Sequence, residues 1–236
     1  DLPVTLDIDQ PGEIFHFGRR LVDLIERYDV RRALYTGGGS APLLAAEQWA
    51  EVVDRLGRAE RLVITNNVHS SDWAAFTPAR EAVSLIAKQP NDNGIAWTLA
   101  NDGGFPVRAL HPAASSRFDI DTPADLLIAQ RCSKIGRHLR SYLDDLGWES
   151  PKLDGVVAEM RREGGSLIVA GRVSPEAWTA LQREIRCWVR VFAEERGMRA
   201  SGRQRRGEVQ SLLASYLDLV GFEAFFEALG RLAGGI

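Results

Sequence analysis

Asp119 and Asp121, in the stretch Phe118-Asp119-Ile120-Asp121-Thr122-Pro123-Ala124-Asp125-Leu126, are the residues of this chain best placed to do chemistry. In an extended backbone alternate side chains share a face, so both carboxylates can offer oxygens to one hard divalent cation. Thr122 is positioned to N-cap a helix and Pro123 to fill its first turn, which starts a helix through Leu126, Leu127 and Ala129 beside the acids. The competing reading is a capped strand-to-helix junction whose acids simply favour the helix N-terminus. A second group is Thr36, Gly37, Gly38, Gly39 and Ser40, where backbone N–H groups between a strand and a helix can converge on a phosphate. This loop has no Walker lysine and does not match G-x-G-x-x-G, so a glycine turn for close strand-helix packing is the alternative. A third group, Asn66, Asn67, His69, Ser70, Ser71 and Asp72, follows an apolar strand, where α/β sheets place ligand contacts. Asparagine amides donate and accept together and so suit a base or a sugar. His69 reads equally as an ordinary surface histidine.

These groups depend on the elements that carry them. Val4 to Asp9 reads as a strand, followed by a helix through Ile14, Phe15, Phe17, Leu21, Leu24 and Ile25 at helical spacing. Ala33-Leu34-Tyr35 is a short strand opening into the glycine loop, and Pro42 and Leu43 lead to a helix over Gln48 to Leu56. Arg61 to Thr65 is a buried strand ending at Asn66. Ala82 to Ile86 and Gly94 to Leu99 read as helices, with Asn91-Asp92-Asn93 either a polar turn capping the second, the favoured reading, or a ribose and base contact. Phe105 to Leu110 is an edge strand, because Pro106 lacks a donor.

The sequence also echoes itself. Asp7-Ile8-Asp9-Gln10-Pro11 parallels Asp119-Ile120-Asp121-Thr122-Pro123, and Leu34-Tyr35-Thr36-Gly37-Gly38 parallels Leu167-Ile168-Val169-Ala170-Gly171. Pro42 and Pro175 follow, Trp49 and Trp178 sit in the next helices, and later strands end at Asn66-Asn67 and Glu194-Glu195. The expected fold class is therefore α/β, a Rossmann-like three-layer sheet with helices on both faces and two duplicated halves, near residues 1–117 and 118–236. Domain limits are expected at 1–130 and 151–236, the second with a helical C-terminus, joined by a helical linker over 131–150.

The segment Asp119-Ile120-Asp121-Thr122-Pro123-Ala124-Asp125-Leu126 resembles the D-x-D-T-P-x-D-L segment that closes the catalytic domain of small nucleotidyltransferases, such as the molybdenum-cofactor and phospholactate guanylyltransferases. The resemblance implies that Asp119 and Asp121 hold Mg2+ against a nucleoside triphosphate, and that a small phosphorylated molecule accepts the nucleotidyl group. It is sharp over Phe118 to Leu126, loose over 33–117, and absent over the last hundred residues. The family's glycine loop carries a downstream Arg or Lys, whereas Ala41-Pro42-Leu43-Leu44 follow here. A second reading is accordingly a non-catalytic, duplicated Rossmann-like module that binds a nucleotide or phosphorylated ligand. A third is an enzyme of sugar or nucleotide metabolism with catalytic residues upstream of residue 1.

Composition narrows the partners. The chain has 236 residues, 45% of them hydrophobic, enough for one large or two small cored domains. A net charge of −3 disfavours nucleic acid and membrane surfaces as main partners. Cys132 and Cys187 make no metal-ligand spacing or disulfide framework, which fits a cytoplasmic protein. No apolar run of about 18 residues or charged leader is visible. Residue 1 is Asp and the first Met is Met160, so the chain reads as a processed or partial product. Glu194-Glu195-Arg196-Gly197-Met198-Arg199 with Arg203, Arg205 and Arg206 is either a phosphate-seeking arginine loop or, balanced by Glu208, a solvated salt-bridged one. Phe222, Phe225 and Phe226 share helical spacing with Leu217 and Leu229 and read as core or as a subunit contact in a homo-oligomer.

Overall fold

A strand with no alternation in its sequence organises the first sheet. The computed structural model describes residues 2–8, 12, 14–194, 198 and 201–233, and shows a mixed α/β chain. Its elements begin with α1 (Phe17–Arg27), β1 (Ala33–Thr36), α2 (Ala46–Arg58), β2 (Leu62–Thr65), β3 (Trp73–Thr77), α3 (Ala79–Ile86), α4 (Ile95–Asn101) and β4 (Val107–Ala109). They continue with α5 (Ala114–Arg117), α6 (Pro123–Gln130), α7 (Arg137–Leu146), α8 (Pro151–Arg161), β5 (Ser166–Gly171), α9 (Pro175–Glu184), β6 (Trp188–Ala193), α10 (Leu212–Val220) and α11 (Phe222–Leu232). The chain divides into two units, residues 1–37 with 46–110, and residues 38–45 with 111–236.

In the first unit the strand order is β1-β3-β2-β4. β3 pairs antiparallel with β1 (Thr36 opposite Trp73) and with β2 (Thr65 opposite Ala74), while β2 and β4 run parallel. Being paired on both sides, β3 is buried throughout, with Trp73, Ala74, Ala75 and Phe76 wholly inaccessible. Successive strand side chains point to opposite faces. Ala74 and Phe76 join a core with Phe17, Ile25, Ile86 and Leu99, and the Trp73 ring meets Trp49 of α2 with centroids 4.9 Å apart. Burying Phe76 alone contributes roughly 2–3 kcal/mol.

Two contacts lock the helices onto this sheet. Gly18 of α1 lies so close to α3 that a Cβ there would sit 1.9 Å from the Ile86 carbonyl oxygen. Its N–H donates to the Gln89 carbonyl at 2.9 Å, so a helix-start donor that has no intrahelical partner is satisfied across the interface. Arg61, just before β2, donates to the Gly103 and Gly104 carbonyls at 2.6 and 2.8 Å and to Glu81 at 3.1 Å, with its guanidinium 4.1 Å above the Phe105 ring. That planar fork fixes the approach to β4.

The second unit contains a separate two-stranded parallel sheet, β5 beside β6, joined through α9. Phe225 and Leu229 of α11 pack on Ile168 of β5. Phe225 is thus core, whereas Phe222 and Phe226 stack on each other at the surface.

Several sequence expectations need correction. Residues 4–8 form no strand, and Val4, Leu6 and Ile8 are 88%, 81% and 62% exposed; Asp9, Gln10 and Pro11 of the same motif lie outside the described residues. Asp7 instead forms a two-point ion pair with Arg20 at 2.7 Å, and that guanidinium holds its carboxyl below the usual value. The first helix starts at Phe17, leaving Ile14 and Phe15 exposed ahead of it. The linker expected to be helical over 131–150 is helical only from Arg137 to Leu146, as α7, after α6 has ended at Gln130. β3 has no counterpart among the expected elements, and it separates β1 from β2, whereas β5 and β6 are direct neighbours. The two echoed strand-helix-strand segments share element order but not pairing.

Among the described residues no helix is long and apolar enough to cross a membrane. Replacing Gly18 with Ala forces α1 away from α3 and should cost at least about 2 kcal/mol, read as a lower urea midpoint with an unchanged denaturant slope.

Candidate functional site

The glycine loop passes from the first unit into the second between Gly37 and Gly38, and in the second unit it meets the acidic motif directly. Ser40 and Asp119 form a single antiparallel bridge, and the Ile120 N–H donates to the Gly39 carbonyl at 3.1 Å. Gly39 must be glycine for this reason: a Cβ would lie 2.4 Å from the Ile120 carbonyl oxygen. Gly38 faces open space. The left-handed backbone at this turn belongs to Ala41 (φ 50°), whose side chain is buried. Non-glycine residues rarely adopt that conformation, so the loop's geometry is held by its surroundings.

Beyond the bridge, the chain turns into α6 around one carboxylate. Asp125 Oδ2 accepts from Asp121 N (3.1 Å), Thr122 N (2.8 Å) and Thr122 Oγ1 (2.7 Å), which is the reciprocal half of a capping box. Pro123 occupies the first turn, as the sequence predicts. Upstream, the buried Ser116 hydroxyl donates to the His111 carbonyl at 2.8 Å and accepts from Ala113 N, fixing the approach to Phe118. Asp119 is half-buried and Asp121 exposed. Asp125 is committed to capping, and no group of three or more His, Cys, Asp or Glu is gathered for a metal among the described residues. Mg2+ sites commonly use one or two protein carboxylates and complete the shell with phosphate oxygens and water.

In the first unit, the β2–β3 loop is a connected polar network. Asn66, only 1% exposed, donates through Nδ2 to Asp72, and its Oδ1 accepts from Asp72 N at 3.1 Å. Asn67 Oδ1 accepts from His69 N at 3.1 Å, which makes an Asx turn. The buried Thr65 hydroxyl donates to the Trp73 carbonyl at 2.9 Å. Gly37 N donates to the Asp72 carbonyl at 3.3 Å, so this loop also reaches the first glycine of the phosphate-loop candidate. Thr36 Oγ1 turns onto the Gly37 carbonyl at 3.2 Å.

The 91–93 turn, which the sequence marks as a helix cap, is tied to this loop. Ser70 Oγ donates to Asn93 Oδ1 at 2.7 Å, Ser71 N donates to the Asn93 carbonyl at 3.1 Å, and Ser71 Oγ accepts from Ala96 N at 3.2 Å. Asp92 accepts from the Tyr35 hydroxyl at 2.8 Å. His69 lies against Trp97 with ring centroids 4.9 Å apart, so it is a loop histidine resting on an aromatic surface. Tyr35 and Trp97 are the additions to the candidate site residues named from the sequence, since a hydroxyl inside a strand does not announce its partner. The Trp73 indole N–H is buried without a hydrogen-bond partner among the described residues.

The arginine-rich stretch near the C-terminus resolves toward its solvated reading where it is described. Arg206 pairs with Glu208 through both nitrogens at 2.7 and 2.8 Å and holds that carboxyl below its usual value. Glu194 is lowered by the Ser211 hydroxyl and by Leu213 N, which donates to it at 3.1 Å. Glu195, Arg196, Gly197 and Arg199 lie outside the described residues.

Gly39→Ala should lower stability by roughly 2 kcal/mol or more and open the 38–45 and 118–122 segments to limited proteolysis, while Gly38→Ala stays within about 0.5 kcal/mol of the parent. Equal behaviour of the two variants would remove the steric argument. The chain matches no protein-family model, no curated protein and no solved structure.

Proposed function

We propose that this chain is a nucleotidyltransferase-like enzyme, transferring a nucleotidyl group from a magnesium-bound nucleoside triphosphate to a small phosphorylated acceptor. The observation that carries the reading is the pairing of Gly39-Ser40 with Asp119-Ile120, which joins the phosphate-loop candidate and the metal-ligand candidate in one antiparallel contact. Bound Mg2+ would neutralise charge on the phosphates during in-line attack. Asp119 and Asp121 would hold it, and the backbone of the Gly37 to Ser40 loop would bind phosphate oxygens. Within the Asn66, Asn67 and Asp72 group, Asn66 is buried with both ends of its amide bonded to Asp72 and braces the loop, which leaves Asn67 and Asp72 as the members with functions suited to a base or acceptor. Phosphoryl chemistry of this kind asks a protein mainly for positioning and electrostatics, and a pre-braced turn provides the first. In this reading the four-stranded sheet is the core of a Rossmann-like three-layer domain, β5-α9-β6 belongs to a duplicated second half, and the protein works in the cytoplasm.

One observation favours a second reading, a non-catalytic module that binds a nucleotide or phosphorylated ligand. The positions after the glycine loop, where the resembling transferases place a basic side chain, hold the buried apolar residues Ala41 and Leu44.

A thermal-shift series with the four nucleoside triphosphates, each with and without Mg2+, separates the two. The enzyme reading expects one triphosphate to raise Tm only with Mg2+, by roughly 5–10 °C at a concentration about a hundredfold above Kd. In Asp119→Asn/Asp121→Asn that metal-linked shift should vanish with the unliganded Tm unchanged. Stabilisation without metal selects the binding module, and no response to any triphosphate overturns both.

A further inference from the structure

The first unit carries a basic basin that the nucleotidyl reading does not use. A cleft of about 540 Å³ is lined by Arg31, Arg32, Arg58 and Arg80, together with Glu60 and the Thr77-Pro78 turn. Four guanidiniums against one carboxylate stand out in a chain whose net charge is −3. The basin opens where β1 begins, where β3 ends and just before β2, since Ala33 is opposite Phe76 and Leu62 opposite Thr77. Thr36, Asn66 and Asp72 lie at the other end of the same strands. Four strand residues put roughly 13 Å between the two ends.

The four arginines are not equally engaged. Arg80 pairs with Asp29 and Arg58 with Asp54, both as exposed surface pairs. Such pairs hold little free energy, so these guanidiniums can turn to a better acceptor. Arg31 and Arg32 have no ion pair or side-chain hydrogen bond among the described residues. Their backbone is nevertheless fixed, because the Arg31 carbonyl accepts from Ala79 N, the first N–H of α3, at 2.8 Å. Two adjacent, uncompensated guanidiniums on a fixed backbone, with two more across the cleft, match a compact multiply charged phosphoanion. Each planar fork can take two phosphate oxygens.

We propose that this basin is a binding site for a small molecule carrying a diphosphate group, at the opposite end of the strands from Thr36, Asn66 and Asp72. The cleft exceeds what a diphosphate alone would fill and leaves room for an organic moiety beside Ala59 and Pro78. Arg31 and Arg32 are the principal ligands and Arg58 and Arg80 close over the anion.

The test is calorimetric titration of the full chain with inorganic pyrophosphate in EDTA, so that no metal-linked site contributes. The parent chain should bind, with affinity falling as NaCl is raised. Arg31→Ala/Arg32→Ala should weaken binding at least tenfold, Arg31→Lys/Arg32→Lys should weaken it less, and Asp119→Asn/Asp121→Asn should leave it unchanged. The three substituted residues other than Asp119 are exposed, and thermal unfolding checks that each variant is folded. Absence of pyrophosphate binding by the parent, or unchanged affinity in Arg31→Ala/Arg32→Ala, overturns the proposal whatever the triphosphate series shows.

Discussion

The double pairing of β3 is the constraint on which the first unit rests. A strand hydrogen-bonded on both sides and inaccessible on both faces tolerates only residues that fill the space between its neighbours, and Trp73-Ala74-Ala75-Phe76 do this with two large and two small side chains. Its alternation divides the packing, since Phe76 faces the cluster that holds α1, α3 and α4 while Trp73 meets α2. Because β3 returns antiparallel from β2, the connecting loop is held at its two ends by paired strands. That is why Asn66 and Asp72 can be braced against each other instead of projecting freely. The same strand defines the other end of the sheet, where its last residue, Thr77, meets the arginines at the start of β1.

What was legible in the sequence follows from which interactions are local. α2, α3, α4, β1, β2 and the edge strand β4 are announced by periodicity and by Pro106, and the Thr122-Pro123 helix start by capping chemistry. β3 was not legible, because Trp-Ala-Ala-Phe-Thr shows no alternation and its two alanines are weak strand formers whose fitness depends on their neighbours. The failure at residues 4–8 is the converse. Val4, Leu6 and Ile8 alternate as a half-buried strand does, yet pairing is a non-local property, and among the described residues no strand lies beside them.

The candidate site shows the same division. Asp119, Asp121 and the glycines were identifiable by type and spacing, but that Gly39 and Ile120 touch was not, since eighty residues separate them. The contact also changes what the glycines mean. Gly39 is required by the approach of another strand, which is the packing explanation, and that approach is what carries the phosphate and metal candidates into one bridge. The Tyr35–Asp92 hydrogen bond is illegible for a related reason, as it spans a strand and a turn that no local pattern connects.

Among the described residues the parallel pair β5–β6 leaves β6 with one ladder partner. Its sequence, Trp188-Val189-Arg190-Val191-Phe192, would be an uninterrupted aromatic and β-branched run but for Arg190, whose guanidinium is tethered to the Leu232 carbonyl at 2.6 Å. Short uncharged runs of this kind seed intermolecular cross-β assembly when they sit on an open edge. A charge in mid-strand, anchored to the end of α11, is the kind of feature that disfavours such edge-to-edge pairing.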